Sequence, residues 1–302
     1  MPELPDIVVY IEALQARILN EQLEGVGIAS PFVLRSVAPA PATLVGKRVV
    51  SLRRLGKQIV LGFEGDYFLI LHLMIAGRLQ WRESRARLSG KTALAALDFS
   101  SGTLILTEAG SKKRASLHVV EGVKALETFN RHALEVLDSD LDSFAAVLHR
   151  ENHTLKRSLT DPRLFSGIGN AYSDEILHHA RLSPMKQTAK LSEDETRRLW
   201  TSTRTVLSDW VALLRNQADG EFPTKVTAFR PEMAVHGRYG KPCPRCGAPV
   251  QRIVYAENEC NYCAQCQTEG RLLADRAMSR LLKEDWPRSL DEMEKHFESR
   301  RS

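Results

Sequence analysis

The sequence predicts an α+β chain, with a β-rich N-terminal domain, a helical middle and a small cysteine-bearing hairpin. Three observations carry this. Short apolar or alternating runs crowd residues 47–80, the periodicity turns helical near residue 135, and two CxxC pairs stand sixteen residues apart near the end. With 302 residues and 43% hydrophobic content, the chain has material for two domains and a further small module.

Ile7, Ile11, Leu14 and Ile18 recur at helical spacing, and Pro5 and Asp6 suit a first turn, so a helix opens the chain. VVSLRRL, QIVLGF and FLILHL read as strands, with a turn at Glu64-Gly65-Asp66. ALDFS and TLILT flank Ser101-Gly102 as another hairpin. Residues 1–130 are therefore expected to form one β-rich domain. DLDSFAAVLHR reads as helix. Ser192 and Glu195 make a capping box ahead of a long helix whose one face carries Leu199, Val206, Trp210 and Leu213. This places a helical domain at 135–225, a hairpin module at 234–270 and a helical tail at 271–302. In the tail, Leu272, Leu273, Leu281, Leu282, Trp286 and Met293 suggest a buttress or a partner site.

The net charge is +5, unevenly spread. Between Lys225 and Arg252 stand Lys225, Arg230, Arg238, Lys241, Arg245 and Arg252 against Glu232 alone. Such a run suits a polyanion or a solvated face, and charge by itself does not choose. No stretch is long and apolar enough for a membrane span, and MPELPD has no signal-peptide character, so a cytoplasmic protein is expected.

Cys243, Cys246, Cys263 and Cys266 are the strongest chemical signal. Each CxxC places two sulfurs on one turn, and two pairs supply a tetrahedral Zn2+. Four protein ligands leave no open position, so the metal is expected to be structural. A hairpin this small needs it to fold. A redox CxxC pair is the alternative. Cys260 lies outside both pairs, as a packed or partly exposed thiol.

MPELPD, KRSLTDPRLFSGIGNAYSDEIL and HGRYGKPCPRCG…YCAQCQ, in that order, resemble the formamidopyrimidine-DNA glycosylase and endonuclease VIII family across about residues 2–267. The resemblance implies an N-terminal β-sandwich, a helix–two-turn–helix domain and a zinc hairpin. It also implies a monomer acting on double-stranded DNA that holds a damaged base or abasic site, by base excision and strand nicking. Pro2 then matches the nucleophile exposed once Met1 is removed, and Glu3 the acid that moves protons on the sugar or base. Taken alone, Met-Pro is a common start and Glu3 an ordinary first-turn carboxylate. Asp6 stands where the family has glutamate.

Lys57 matches a lysine that holds the phosphate at the lesion, or else is a solvated strand-edge lysine. His72 lies in the same DNA-facing set. Lys156 and Asn170 belong to the turn that grips phosphates at a helix start, with Asp174 and Glu175 as fold-holding carboxylates. Three positions depart from the family. Asn258, between Glu257 and Glu259, takes the place of the hairpin arginine, or serves as a turn residue. Ile75 takes the place of the void-filling methionine, beside Met74. An Arg-Arg-Phe run is replaced by Glu108-Ala109-Gly110-Ser111-Lys112-Lys113-Arg114, where Lys112 can meet phosphate but no aromatic wedge exists. Core packing and a charged loop would explain both substitutions as well. These departures keep open a protein that binds damaged or abasic DNA without efficient excision.

Overall fold

The computed structural model describes residues 1–85, 90–110, 112–255, 258–274 and 287–292. It forms two compact units: 1–133 with 208–227, and 134–207 with 228–302.

The first unit begins with α1 (Leu4–Ile18), whose predicted stripe of Ile7, Ile11, Leu14 and Ile18 is buried. Eight strands follow: β1 (Leu23–Ile28), β2 (Val49–Leu55), β3 (Gln58–Phe63), β4 (Tyr67–His72), β5 (Gly77–Arg82), β6 (Ala93–Phe99), β7 (Gly102–Glu108) and β8 (Ser116–Glu121). They make two antiparallel four-stranded sheets, ordered β1-β6-β7-β5 and β2-β3-β4-β8. One core unites α1 with inward residues of both sheets, including Leu61, Leu69, Leu97 and Leu106, which is the expected sandwich. QIVLGF is apolar without alternation because both its faces are covered. Ile59 and Leu61 face that core, while Val60 packs with Phe68, Ile70 and Leu126 on the other side, where Leu126 comes from α2 (Val123–Glu127).

The second unit holds α3 (Leu141–Leu148), α4 (Leu155–Thr160), α5 (Asn170–His179), the hairpin β9 (Val250–Tyr255) and β10 (Asn258–Cys263), and α7 (Ala264–Thr268). The long helix α6 (Glu193–Ala218) begins in this unit, and the boundary falls inside it at Leu207. Its capping box forms as expected, with Ser192 N–H on Glu195 Oε2 (3.0 Å) and Glu195 N–H on Ser192 Oγ (3.2 Å).

The units differ from the four expected segments in two ways. Residues 208–227 join the β unit. Phe222 there packs its ring against Tyr10 (5.6 Å) and Trp81 (6.4 Å), and Arg215 binds Glu12 through two hydrogen bonds of 2.6 and 2.9 Å. The hairpin module is not separate either, since its own core is too small. Around Ile253, Cys260 and Tyr262 the chain adds Leu272, Leu273 and Leu290 from the tail, tied by Leu273 N–H to Tyr262 Oη (2.8 Å) and Leu272 N–H to Arg288 O (2.9 Å). The described tail thus buttresses the hairpin. Leu281, Leu282, Trp286 and Met293 lie outside the described residues. Cys260 is a packed thiol, 2% exposed.

Candidate catalytic and nucleic-acid-binding sites

In the first unit the chain start is a buried, charge-rich corner. Pro2 is buried, and Glu3 and Asp6 are 3% and 4% exposed. Glu3 is the N-cap of α1, and its N–H donates to Asp6 Oδ2 at 3.0 Å. Asp6 is therefore engaged in holding the helix start, a task its short side chain suits. Burial lowers the pKa of the Met1 amine. Arg78 and Lys57 add to the lowering, and Glu3 and Asp6 oppose it. Both cations thus lie within electrostatic reach of the chain start.

Lys57 follows Gly56, whose φ of 60° suits the tight turn from β2 to β3. Its neighbour Gln58 pairs with His72 at the end of β4, so Lys57 and His72 share one end of the sheet. His72 has its pKa lowered to about 4, chiefly by burial, then by Lys57, Arg131 and His118. At neutral pH its imidazole is uncharged, a hydrogen-bonding group and not a cation.

The next turn presents Ile75 with 55% of its surface exposed, while Leu73 is buried. Gly77 closes this turn through its N–H on Leu73 O (2.9 Å), and a Cβ there would lie 2.2 Å from that oxygen. Arg78 braces it through Ile75 O (3.1 Å) and Gly77 O (2.6 Å). Met74 has φ of 52° and is partly buried, so Ile75, not Met74, is the apolar tip. The loop bearing exposed Lys112 is organised from below. Buried Glu108 accepts from the N–H groups of Arg114 (2.8 Å) and Ala115 (3.1 Å), and Lys113 Nζ donates to Glu108 O. Ser111 lies outside the described residues. Sequence gives no sign of Arg78 and Arg131, and shows Glu108 only as part of a charged run, because single charged residues in strands and loops carry no motif.

The second unit gives Lys156 a different task from the expected phosphate contact. It is 5% exposed, and its ammonium donates to Asn170 O (2.7 Å), Ser173 Oγ (2.8 Å) and Asp174 Oδ1 (2.6 Å). An ammonium has three N–H groups, and three acceptors use them. Asp174 also accepts from His236 Nδ1 (2.8 Å) and the Asn261 N–H (3.1 Å). Glu175 accepts from the N–H groups of Ala234 (2.7 Å), Val235 (2.9 Å) and His236 (2.9 Å). Burial raises the Glu175 pKa, and those three N–H groups oppose it. These carboxylates bind α5 to the hairpin module, the fold-holding part expected of them. Asn170 opens α5, and its Nδ2 donates to Glu259 O at 2.9 Å.

The four cysteine sulfurs lie within 4.8 Å of one another, with Cys246–Cys263 at 3.5 Å and Cys243–Cys266 at 4.0 Å. Zn–S bonds of ~2.3 Å in a tetrahedron put sulfurs about 3.8 Å apart, so the residues fit one structural zinc ion. His178 Nε2 lies 3.2 Å from Cys243 Sγ, placed to donate to the thiolate as an outer ligand partner. Removing zinc with a chelator is expected to lower the melting temperature and collapse the hairpin, since binding worth up to ~10–16 kcal/mol is also folding energy. An unchanged melting curve on verified metal loss would contradict a structural role.

Asn258 begins β10, paired with Tyr255; Glu257 lies outside the described residues. Glu259 is not an unopposed acid. It pairs with Arg252 (3.2 Å) and accepts from Asn261 Nδ2 (2.7 Å). Arg252 also lies over the Tyr239 ring at 4.3 Å, Arg245 donates to His178 O (3.4 Å) and Arg238 to Pro231 O (3.1 Å). Much of the basic run therefore has protein partners. Among the described residues no helix is long and apolar enough to cross a membrane.

Three family models match the chain in order. They are the formamidopyrimidine-DNA glycosylase N-terminal domain at residues 1–112, the formamidopyrimidine-DNA glycosylase H2TH domain at 133–218, and the zinc finger found in FPG and IleRS at 240–268. A formamidopyrimidine-DNA glycosylase of Thermus thermophilus is 32% identical over 280 residues, covering 89% of this chain and all of the relative. One of Moorella thermoacetica is 31% identical over 263 residues, covering 84% and 94%. The crystal structure of Lactococcus lactis Fpg with abasic-site DNA superposes with a TM-score of 0.78 at 26% identity, covering 88% of this chain and 99% of that one.

Proposed function

Because the chain belongs to the formamidopyrimidine-DNA glycosylase family, we propose that it excises damaged bases from duplex DNA and nicks the strand, with the amine of Pro2 as nucleophile after Met1 is removed. The observation that carries this reading is the buried corner at the chain start. Pro2 and Glu3 head α1, with Lys57 and Arg78 within electrostatic reach.

An α-amine has an ordinary pKa near ~8, so a sizeable neutral fraction is available to attack. At the Met1 amine burial, with Arg78 and Lys57, outweighs Glu3 and Asp6 in favouring the neutral form, and the Pro2 amine meets the same surroundings once Met1 is removed. The nitrogen bonds to sugar C1′ as the bond to the base breaks, and Glu3 supplies the proton the departing base needs. Loss of the amine proton and opening of the C1′–O4′ bond, with a proton to O4′, leave an iminium, and because the amine is secondary it cannot relax to a neutral imine. Loss of a C2′ proton then expels the 3′ phosphate. Lys57 and neutral His72 hold phosphate near the reacting sugar, exposed Ile75 enters the space left in the helix, and Lys112 meets the backbone beside it. Asn170 offers its helix start to a phosphate, with Lys156 holding that start in place. The substrates are oxidised or ring-opened bases in chromosomal DNA of the cytoplasm.

Borohydride reduction on a duplex with one abasic site tests the reading. A covalent adduct mapping to Pro2, and a much weaker one with Pro2→Gly, is the expected result. Undiminished strand cleavage by Pro2→Gly would sink the nucleophile.

A second reading, binding of abasic or damaged DNA without efficient excision, is favoured by Asn258, which brings no charge to the hairpin. Tight binding with no trapped adduct would select it. Under either reading Asn258→Arg adds a phosphate-seeking cation. The slope of log affinity against log salt is then expected to steepen by about 1, and an unchanged slope would place position 258 away from DNA.

A further inference from the structure

The geometry points to a stacking shelf: we propose that the outward face of Phe229 receives an unstacked nucleobase of bound DNA. This rests on the DNA-binding part of the proposed function, and not on Pro2 chemistry.

Phe229 is 73% exposed, in a segment that carries its own cation, Arg230. So exposed a ring offers a large, rigid contact face. Its other face is seated. The ring stacks on His236 at 5.8 Å between centroids and 19° between planes. Gly237 fits beneath it. A Cβ at that position would come 2.8 Å from the Phe229 ring, and the backbone there has φ of 68°, so the close approach demands glycine.

His236 itself does not move freely. It is 6% exposed, its Nδ1 is bound to Asp174 Oδ2 at 2.8 Å, and its N–H is held by Glu175 Oε1 at 2.9 Å. Asp174 is in turn held by Lys156 and by the Asn261 N–H. The buried polar network thus ends in an imidazole whose flat side supports an exposed benzene ring. A solvent-facing aromatic on a fixed backing is what a base needs to stack on, because little ordering remains to be done when it arrives. Arg230, Arg238 and Lys241 against Glu232 leave the same stretch net positive, which suits the strand that carries the base. The preference is for a π-face and not for an edge pattern, so the shelf serves a base out of the helical stack, whatever its identity.

The test compares two duplexes, one with 2-aminopurine unpaired opposite an abasic-site analogue and one with the abasic-site analogue alone. Three full-length proteins are used: wild type, Phe229→Leu, which keeps apolar bulk without a ring, and Phe229→Trp, which keeps a ring. Wild type and Phe229→Trp are expected to quench the 2-aminopurine fluorescence on binding. Phe229→Leu is expected to lose the quenching and to bind that duplex roughly 10-fold more weakly, with affinity for the second duplex changed less than about 2-fold. Quenching by Phe229→Leu equal to wild type, or an equal loss of affinity for both duplexes, overturns the shelf. Borohydride trapping by wild type on an abasic site is read separately. Its failure with quenching intact removes the lyase and leaves the shelf standing.

Discussion

Lys156→Met is expected to lower folding stability by about 3–5 kcal/mol while leaving the salt dependence of DNA binding unchanged. The variant leaves Asp174, 1% exposed, without its ammonium partner, to donors that include His236 Nδ1, the Asn261 N–H and the Cys260 thiol. Removing one member of a buried ion pair costs more than the pair's own worth, since the other charge stays desolvated. Methionine keeps the length of the stem, so packing changes little. Asp174→Ala is expected to cost a similar amount, and the double variant less than the sum, because both act on one contact. Denaturant unfolding gives the first quantity and a salt titration of binding the second. A salt slope shallower by about 1 with unchanged stability would return Lys156 to the role of a phosphate ligand.

Glu3→Gln is expected to slow base excision by about 10²–10⁴-fold, the usual worth of a positioned proton donor, while borohydride trapping on a preformed abasic site persists. The two outcomes part because an abasic site has no base left to protonate, and its sugar already opens to an aldehyde in water. Glutamine keeps the size and the acceptor oxygen that the head of α1 uses, so the fold is retained. Single-turnover excision and trapping, run on the same preparation, check both. Equal loss of both activities with an unchanged melting temperature would make Glu3 serve the attack on C1′ as much as departure of the base. Equal loss with a lowered melting temperature would reduce it to a helix cap.

The sequence reaches far into the fold where its signal is local. The stripe of α1, the Ser192–Glu195 capping box and the two CxxC pairs depend on contacts within a few residues, and each stands in the structure as read. Strands were legible as a group and less so singly. β1, β5 and β8 were not separated out: LEGVGI carries two glycines, GRLQWR two arginines, and SLHVVE a histidine among its apolar residues. Their place comes from ladder partners far along the chain.

The site divides in the same way. The cysteines are legible because their chemistry is bound to a spacing, and the proposal for Pro2 and Glu3 rests likewise on their position in the chain. Lys156 is legible as important and not as to its task. Its charge suits a phosphate as well as a carboxylate, and only the arrival of Asp174 and Ser173 on α5 decides between them. Phe229 gives no sign at all in sequence. An aromatic between Ala228 and Arg230 matches no motif, and only the backing of His236 and the glycine beneath it show which face is covered.

By itself, then, the sequence determined the α+β class, the zinc ligands and the family, all of which rest on short-range spacing and ordered motifs. Tertiary structure alone decided that residues 208–227 belong with the β unit, that the tail closes the hairpin's small core, and that Lys156 serves Asp174. The physical reason is one of range. Spacing encodes which groups a turn or helix brings together, whereas the partner of a buried charge or an exposed ring is settled by how separate elements and loops pack, as with Asp174, which binds Lys156 18 residues before it and His236 62 residues after it.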